Sequence, residues 1–110
     1  MSDTDNLENV VQELRRGLLV LAVLSQLTGE QDGYALLKLL ADQGMEIDQG
    51  TLYPLLRRLE SQGLLQSQWN VEAGGRPRRY YVISAEGRTL LTRLKSEWAG
   101  MVKAMDGMLK

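Results

Sequence analysis

Hydrophobic side chains recur with a helical period in the segment 48–63, whose sequence is DQGTLYPLLRRLESQG. Four leucines in it follow the spacing i, i+3, i+4, i+7, which places them on one face of an α-helix: Leu52, Leu55, Leu56 and Leu59. We expect these leucines to point into a core. About half a turn away lie Gly50, Tyr53, Pro54 and Arg57, a combination that solubility alone would not select. This outward face is therefore predicted to contact a partner.

Both ends of this helix carry recognisable signals. Asp48 or Thr51 is suited to cap its start, and Gly63 is placed to end it in the left-handed conformation. Pro54 lacks the N–H group that would otherwise bond to Gly50, so either a kink or a later effective start is expected.

A longer amphipathic helix is predicted for residues 4–27. Its apolar positions follow helical spacing: Leu7, Val10, Val11, Leu14, Leu18, Leu21 and Ala22. Because this helix is long for a small domain, we expect its first two turns to extend beyond the local core. Leu7, Val10 and Val11 would then need a second chain to cover them.

A further helix is predicted for residues 32–41, with Asp32 as its cap and Gly44 just past its end. Its expected inward residues are Tyr34, Leu37, Leu40 and Ala41. The short sequence GMEID then leads into the helix of residues 48–63, which makes the pair a possible helix-turn-helix. Any helical hairpin gives a similar pattern, so this signal is not specific by itself.

After Gly63 the period of the pattern changes from 3.6 to 2 residues, which predicts strands. One face contains Leu65, Ser67, Trp69 and Val71, and the other contains Leu64, Gln66, Gln68 and Asn70. The segment 72–77, EAGGRP, predicts a turn, and the segment 78–84, RRYYVIS, predicts a returning strand. A hairpin directly after a helix-turn-helix is what a winged helix requires, and the combination is far more specific than either part.

Alternation along the returning strand separates neighbouring side chains. Arg78 and Arg79 are predicted to lie on opposite faces, one towards a partner and the other towards the protein or solvent. Tyr80 and Tyr81 are separated in the same way, so one is expected in the core and the other partly exposed.

Ser84 is suited to cap a last helix that runs from residue 85 to near the C-terminus. Seven of its residues are spaced alternately four and three apart, as in a helix that packs along another helix: Gly87, Leu91, Leu94, Trp98, Met101, Met105 and Met108. The seam is short and rich in methionine, so we expect a dimer interface supported by other contacts. The predicted interface set is Leu91, Leu94, Trp98, Met101, Met105, Leu7 and Val11. Trp98 either fills the dimer core or lines a pocket there for a flat apolar molecule.

The length and composition favour one small domain. A chain of 110 residues, 44% of them hydrophobic, can bury one core. The expected fold is mainly α (α+β), a winged helix-turn-helix with an N-terminal helix and a long C-terminal dimerisation helix. We divide it into residues 1–84, which form the N-terminal helix and the DNA-binding domain, and residues 85–110, which form the dimerisation helix.

The chain contains no cysteine and no histidine, which removes disulfides, thiolate metal sites and the commonest general base. Asp42, Glu46 and Asp48 are explained by capping and by solvated turns, so no metal and no cofactor are predicted. We expect a cytoplasmic protein that is not an enzyme, because no secretory signal pattern, membrane-spanning segment or nucleophile with its base is recognisable.

The charge is unevenly distributed. The whole chain has a net charge of -1, but residues 49–81 contain five arginines and two glutamates, which leaves the rest of the chain at -4. A locally basic face on an acidic body is typical of steering towards a polyanion.

The candidate DNA contacts lie on the helix of residues 48–63 and on the hairpin. Gln49, Thr51, Tyr53 and Arg57 would face the major groove, and Gly50 would allow a close approach of the backbone. An arginine on a narrow hairpin tip is suited to a minor groove or to its phosphates. The plainer interpretations are a solvated helix face and a charged hairpin that avoids edge pairing.

Two segments together resemble the PadR family of bacterial winged-helix transcriptional regulators, in the short subfamily with one C-terminal dimerisation helix. They are GTLYPLLRRLESQGLL at 50–65 and GGRPRRYYVISAEG at 74–87. By this resemblance, the recognition-helix contacts are Thr51, Tyr53 and Arg57, and the hairpin contacts are Gly75, Arg76 and Arg78. The resemblance also implies a homodimeric repressor, and several members of the family respond to small, often aromatic, compounds.

The function expected from the sequence is sequence-specific binding of double-stranded promoter DNA by a homodimeric repressor that recognises a palindromic operator. The predicted DNA-binding set is Gln49, Gly50, Thr51, Tyr53, Pro54, Arg57, Gly75, Arg76 and Arg78. The expected partners are operator DNA, a second copy of the chain and, as a further hypothesis, a small aromatic effector at the dimer interface; no membrane is involved. The alternatives are a winged helix used only for protein interaction and a small-molecule sensor without DNA binding.

Overall fold

The computed structural model describes residues 3–71 and 75–110. The elements are helix α1 (Asp3–Gln26), strand β1 (Gln31–Asp32), helix α2 (Gly33–Asp42), helix α3 (Gln49–Ser61), strands β2 (Leu65–Val71) and β3 (Pro77–Ile83), and helix α4 (Ala85–Met108). This arrangement confirms a mainly helical winged helix-turn-helix with long helices at both ends. The predicted turn at 72–77 lies partly outside the described residues.

Three helices begin at the caps that the sequence predicts. The side chains of Asp32, Asp48 and Ser84 each accept a hydrogen bond from the backbone N–H three residues further on. The structure thus selects Asp48 over Thr51 as the cap of α3. The donor to acceptor distances are 2.8 Å from Ala35, 2.8 Å from Thr51 and 3.0 Å from Gly87.

Helix α3 runs without interruption through Pro54. Its effective start is therefore at Gln49, and the later start that the proline also allowed does not occur. Gly63 follows the helix with φ +79°, the left-handed conformation expected for it.

The strands form one antiparallel sheet in the order β1-β3-β2. Leu65 pairs with Ile83 at the base of the hairpin, and Val71 pairs with Pro77 towards its tip. Strand β1 pairs with Tyr80 and Tyr81 alone. The hairpin therefore has three-stranded support at its base and two strands beyond it. We call β2, residues 75–76 and β3 together the wing.

Strand β1 is an element that the sequence did not predict. Its two residues are too few to display a period, and the pairing partners of Gln31 and Asp32 lie far away in the chain. The N–H of Ile83 also donates to the carbonyl of Leu27 at 2.8 Å, which extends this junction towards α1.

The core lies between the first three helices, the base of the sheet and the start of α4. Its buried hydrophobic residues are Leu19, Val23, Leu24, Leu27, Leu36, Leu40, Leu52, Leu55, Leu56, Leu59, Leu65, Tyr81, Ile83 and Leu91. All four leucines predicted to point inward from α3 are among them. Tyr81 is buried and Tyr80 is half-buried, as alternation predicts.

The prediction that Tyr34 points inward is wrong, because its side chain is 65% exposed. Leu36 and Leu40 occupy the inward stripe of α2 instead, with Leu37 and Ala41 half-buried beside it. Tyr34 lies two residues before Leu36, about 200° away around the helix, so it projects outward.

Gly87 allows the first turn of α4 to lie directly on the sheet. A Cβ atom added there would overlap the backbone carbonyl oxygen of Leu64 and lie 2.7 Å from Ile83 Cγ1. Ser84 stabilises the same junction by donating to the carbonyl of Gly63 at 2.6 Å. The close approach of backbone to backbone explains why glycine is needed at position 87.

We expect Gly87→Ala to lower the free energy of unfolding by about 1 to 3 kcal/mol, because a backbone carbonyl yields less easily than a side chain. Gly100→Ala is the matched control in the same helix: nothing lies within 4 Å of an added Cβ there. It should raise stability by about 0.5 to 1 kcal/mol through helix propensity. Urea unfolding of both variants at one protein concentration checks this, and an equal gain in both would refute the tight junction.

Candidate nucleic-acid interface

The first turns of α3 present the outward face that the sequence predicts. Gln49, Gly50, Thr51, Pro54 and Arg57 are exposed. A Cβ at Gly50 would meet only an oxygen of the Asp48 side chain, at an ordinary 3.4 Å, so packing within the chain does not require glycine there. The first turn of a helix also directs backbone N–H groups outward, which favours a phosphate.

Tyr53 differs from its neighbours because it is half-buried. Its ring lies against the start of α2, where a Cβ atom added to Gly33 would be 2.7 Å from Tyr53 Cε1. Tyr53 therefore helps to join α2 to α3 and offers only part of its ring to a partner.

A cavity of about 340 Å³ separates α3 from the wing. Its walls contain four aromatic rings, from Tyr34, Tyr53, Trp69 and Tyr81, and three guanidinium groups, from Arg57, Arg78 and Arg79. Asp32, Gly33 and Leu56 complete the lining. Sequence reasoning placed Arg57 and Arg78 on separate elements, and the structure brings both to this one cavity. Arginines of the helix and of the wing thus lie beside the same cavity.

Arg78 and Arg79, which are neighbours in β3, both line the cavity but differ in their partners and exposure. Arg78 Nη1 lies 3.4 Å from Asp32 Oδ2, and its side chain is 56% exposed. Arg79 turns towards the protein, where Arg79 Nη2 donates to Glu60 Oε1 of α3 at 2.6 Å. Arg78 is consequently the member of the pair that faces outward, while Arg79 is held by α3.

Ser67 links Glu60 and Arg79 into a closed ring of hydrogen bonds. Its hydroxyl donates to Glu60 Oε2 at 2.6 Å and accepts from Arg79 Nε at 2.9 Å. The guanidinium carbon of Arg79 also lies 5.8 Å from the centre of the Trp69 ring and 5.4 Å from that of Tyr81. We call Glu60, Ser67 and Arg79 the wing clamp.

Two effects act in opposite directions on the pKa of the Tyr81 phenol. Burial raises the pKa of Tyr81 above its ordinary value of 10.0, and the positive charge of Arg79 acts in the opposite direction. The phenol is therefore neutral at physiological pH, and the cavity wall beside Arg79 gains no negative charge from it.

The tip of the wing is described from Gly75 onward. Gly75 and Arg76 are exposed, and an added Cβ at Gly75 would meet nothing within 4 Å. Gly74, which belongs to the segment of resemblance, lies outside the described residues.

The groove beside the start of α3 contains two arginines that sequence reasoning missed. Arg15 and Arg16 of α1 line it together with Asp48 and Thr51. The available signal was a pair of adjacent basic residues in α1, but its position relative to α3 depends on how the helices pack. Because Glu46 and Asp48 line the same groove, the two arginines place cations beside the start of α3 without making the groove basic as a whole.

The residues predicted for a dimer interface divide into two groups. Trp98, Met101, Met105 and Leu7 are exposed, Trp98 by 42%, while Val11 and Leu94 are half-buried. Leu91 is only 6% exposed because it belongs to the core of its own chain. The seam of α4 therefore packs within the protomer at its start and is uncovered from Trp98 onward.

Within the described residues, no three histidine, cysteine, aspartate or glutamate side chains are placed to hold a metal ion. Asp48, one of the carboxylates considered for such a role, caps α3. No helix in the described ranges is long and apolar enough to cross a membrane.

A family model described as "Transcriptional regulator PadR-like family" matches residues 20–93. The chain is similar to a PadR family transcriptional regulator from Eggerthella lenta, with 47% identity, a TM-score of 0.91 and coverage of 97% of this chain and 95% of that one. It is also similar to the transcriptional regulator Rv3488 of Mycobacterium tuberculosis, with 39% identity over 74% of this chain and 77% of the relative. A Bacillus subtilis PadR in complex with operator DNA shares the fold, with 21% identity, a TM-score of 0.64 and coverage of 70% of this chain and 46% of that one.

Proposed function

We propose, since this chain belongs to the PadR-like family of transcriptional regulators, that it binds a palindromic operator as a homodimer and represses transcription by occluding a promoter. The observation that carries the proposal is the common surface formed by α3 and the wing. It places the exposed Arg57 and Arg78 beside one cavity. A double helix is the polyanion whose major groove accepts such a helix while its backbone meets the wing.

Helix α3 enters the major groove by its N-terminal part in this proposal. Gln49 and Arg57 have the side chains suited to paired hydrogen bonds with adenine and guanine edges. Thr51 and the accessible part of Tyr53 add nearby contacts, Gly50 permits close approach, and the exposed ring of Pro54 lies on the same face. Gly75, Arg76 and Arg78 of the wing contact phosphates or the adjacent minor groove.

A second copy of the chain covers the exposed apolar residues of α1 and α4. These are Leu7, Val10, Leu14, Trp98, Met101, Val102, Met105 and Met108, together with Leu109 directly after α4. Apolar side chains concentrated on two helices in this way are typical of an interaction surface. A two-fold axis through α4 would present two α3 helices to half-sites about 34 to 36 Å apart, one turn of DNA.

An effector would act at the same interface. Trp98 and Met101 are exposed in the protomer, and a dimer would bring two copies of each together. An aromatic molecule between them releases DNA only if it binds the DNA-incompetent dimer more tightly. In the simpler alternative, Trp98 fills the dimer core and no effector binds there.

Fluorescence anisotropy with duplexes from the protein's own upstream promoter, compared with scrambled duplexes at two salt concentrations, tests the DNA-binding function. We expect selective binding that weakens with salt, because neutralised phosphates release counterions. Equal affinity for every duplex in a genome-wide DNA selection would instead indicate a winged helix that serves protein interaction.

A further inference from the structure

The wing clamp sits where the hairpin leaves the three-stranded part of the sheet. Strand β1 pairs with β3 only as far as Tyr80. Arg79 is the next residue towards the tip, and it pairs across the hairpin with Trp69 alone. Two-stranded hairpins are only marginally stable in water. The clamp therefore supports the wing at the first position where the sheet no longer does.

We propose that Glu60 is a positioning residue, which through the clamp holds the wing at one angle to α3 so that Arg57 and the wing arginines engage the same stretch of DNA. This role rests on the DNA-binding function proposed above. Arg78 is the residue before Arg79 in β3, and Arg76 lies just before the strand begins. An anchor on Arg79 therefore limits the movement of both. The acidic Glu60 thus contributes to binding a polyanion.

The geometry of the clamp makes it a strong anchor. Both carboxylate oxygens of Glu60 are engaged, one by Arg79 and one by Ser67, each at 2.6 Å. The side chains of Arg79 and Glu60 are 34% and 28% exposed, so water screens the pair less than a fully exposed one. Contacts of Arg79 with two aromatic rings restrain it further.

The clamp also keeps Glu60 from pairing with Arg57. Glu60 follows Arg57 by three residues in α3, a spacing at which opposite charges commonly pair on a helix. Glu60 bonds instead to Ser67 and Arg79, so its carboxylate contacts the wing. Among the described residues, no carboxylate forms an ion pair with Arg57, which leaves its guanidinium available to DNA.

The role of Glu60 can be tested by whether one substitution strengthens or weakens DNA binding. Glu60→Gln keeps the shape of the side chain but removes a negative charge near the DNA-binding surface. Electrostatics alone predicts tighter DNA binding. Loss of positioning predicts weaker binding. An Arg79 variant would not separate the two because it also removes a positive charge.

Glu30→Gln is the matched control, because exposed Glu30 lines the same groove as Glu60 and Ser67 but lies outside the clamp. We expect Glu60→Gln to bind the selected operator about five- to tenfold more weakly than the wild type, the size of one ordinary intramolecular hydrogen bond. The slope of log affinity against log salt should become shallower by about 0.9 for each phosphate that the wing no longer neutralises. Glu30→Gln should bind as the wild type does or more tightly.

Ser67→Ala provides a second variant that leaves all charges in place. It should weaken operator binding by about two- to fivefold, with the same direction of change in salt dependence. Thermal unfolding of each variant confirms that the compared proteins are folded. Glu60→Gln behaving like Glu30→Gln, or Ser67→Ala binding with wild-type affinity and salt dependence, would overturn the positioning role. A wild type that selects no operator would instead refute the DNA-binding function.

Discussion

Replacing Trp98 and Met101 together with aspartate is expected to convert the protein to monomers and to weaken operator binding by about a hundredfold or more. Both side chains are exposed in the protomer and lie one step apart on the α4 seam. Charges placed at a dimer interface would be desolvated or repel their copies in the partner chain. A monomer would contact one half-site only and would lose the gain in affinity that comes from binding two linked half-sites. Light scattering measures the mass, and anisotropy measures the affinity.

The control for this experiment is Thr92→Asp with Ser96→Asp. It adds the same two charges to exposed positions of α4 that lie away from the seam. We expect this variant to stay dimeric and to unfold as a helical protein like the wild type. If the Trp98 and Met101 variant is dimeric as well, α4 is not the interface.

Arg57→Ala is expected to weaken binding to the operator about thirtyfold or more. A paired contact of arginine with guanine is worth about 1 to 3 kcal/mol of discrimination, and a dimer makes it in both half-sites. Arg57 lies at the cavity between α3 and the wing. Anisotropy with operator and scrambled duplexes measures both the loss of affinity and the loss of selectivity.

Arg58→Ala removes the same charge from the next residue of α3, which is also exposed but does not line the cavity. Its effect should stay below about threefold, as expected for a general electrostatic contribution. Equal losses in the two variants would mean that α3 contributes only charge and that its orientation in the groove is not as proposed.

The α3 helix and the hairpin were predictable from sequence because each has its own period. The leucines of α3 repeat every 3.6 residues, and successive residues from Leu65 to Val71 lie on alternate faces of the strand, a period of two. Polar residues that bond locally to the backbone then marked the caps. Predictions of this kind depend on interactions between residues close in the chain.

Contacts between distant residues were not predictable in the same way. Glu60 and Arg79 are far apart in sequence and belong to elements with different periods, so no pattern joins them. The α4 seam indicates that a helix packs there but not against what. Leu91 of the seam is buried within its own chain, whereas Trp98 of the seam is exposed. Which residues of a seam remain for a partner depends on the tertiary structure.

Strand β1 joins parts of the chain that are about fifty residues apart, since Asp32 pairs with Tyr80. Helices form within about a microsecond, whereas closing such a long loop costs entropy before its contacts are gained. We therefore expect α1, α2 and α3 to assemble first during folding, with the wing joining them late. Because the distal wing is two-stranded and its residues are exposed, we also expect it to open at a lower free energy than the helices that surround the core. In the proposed function, the helix that would read the operator is then shaped before the wing that would contact its phosphates.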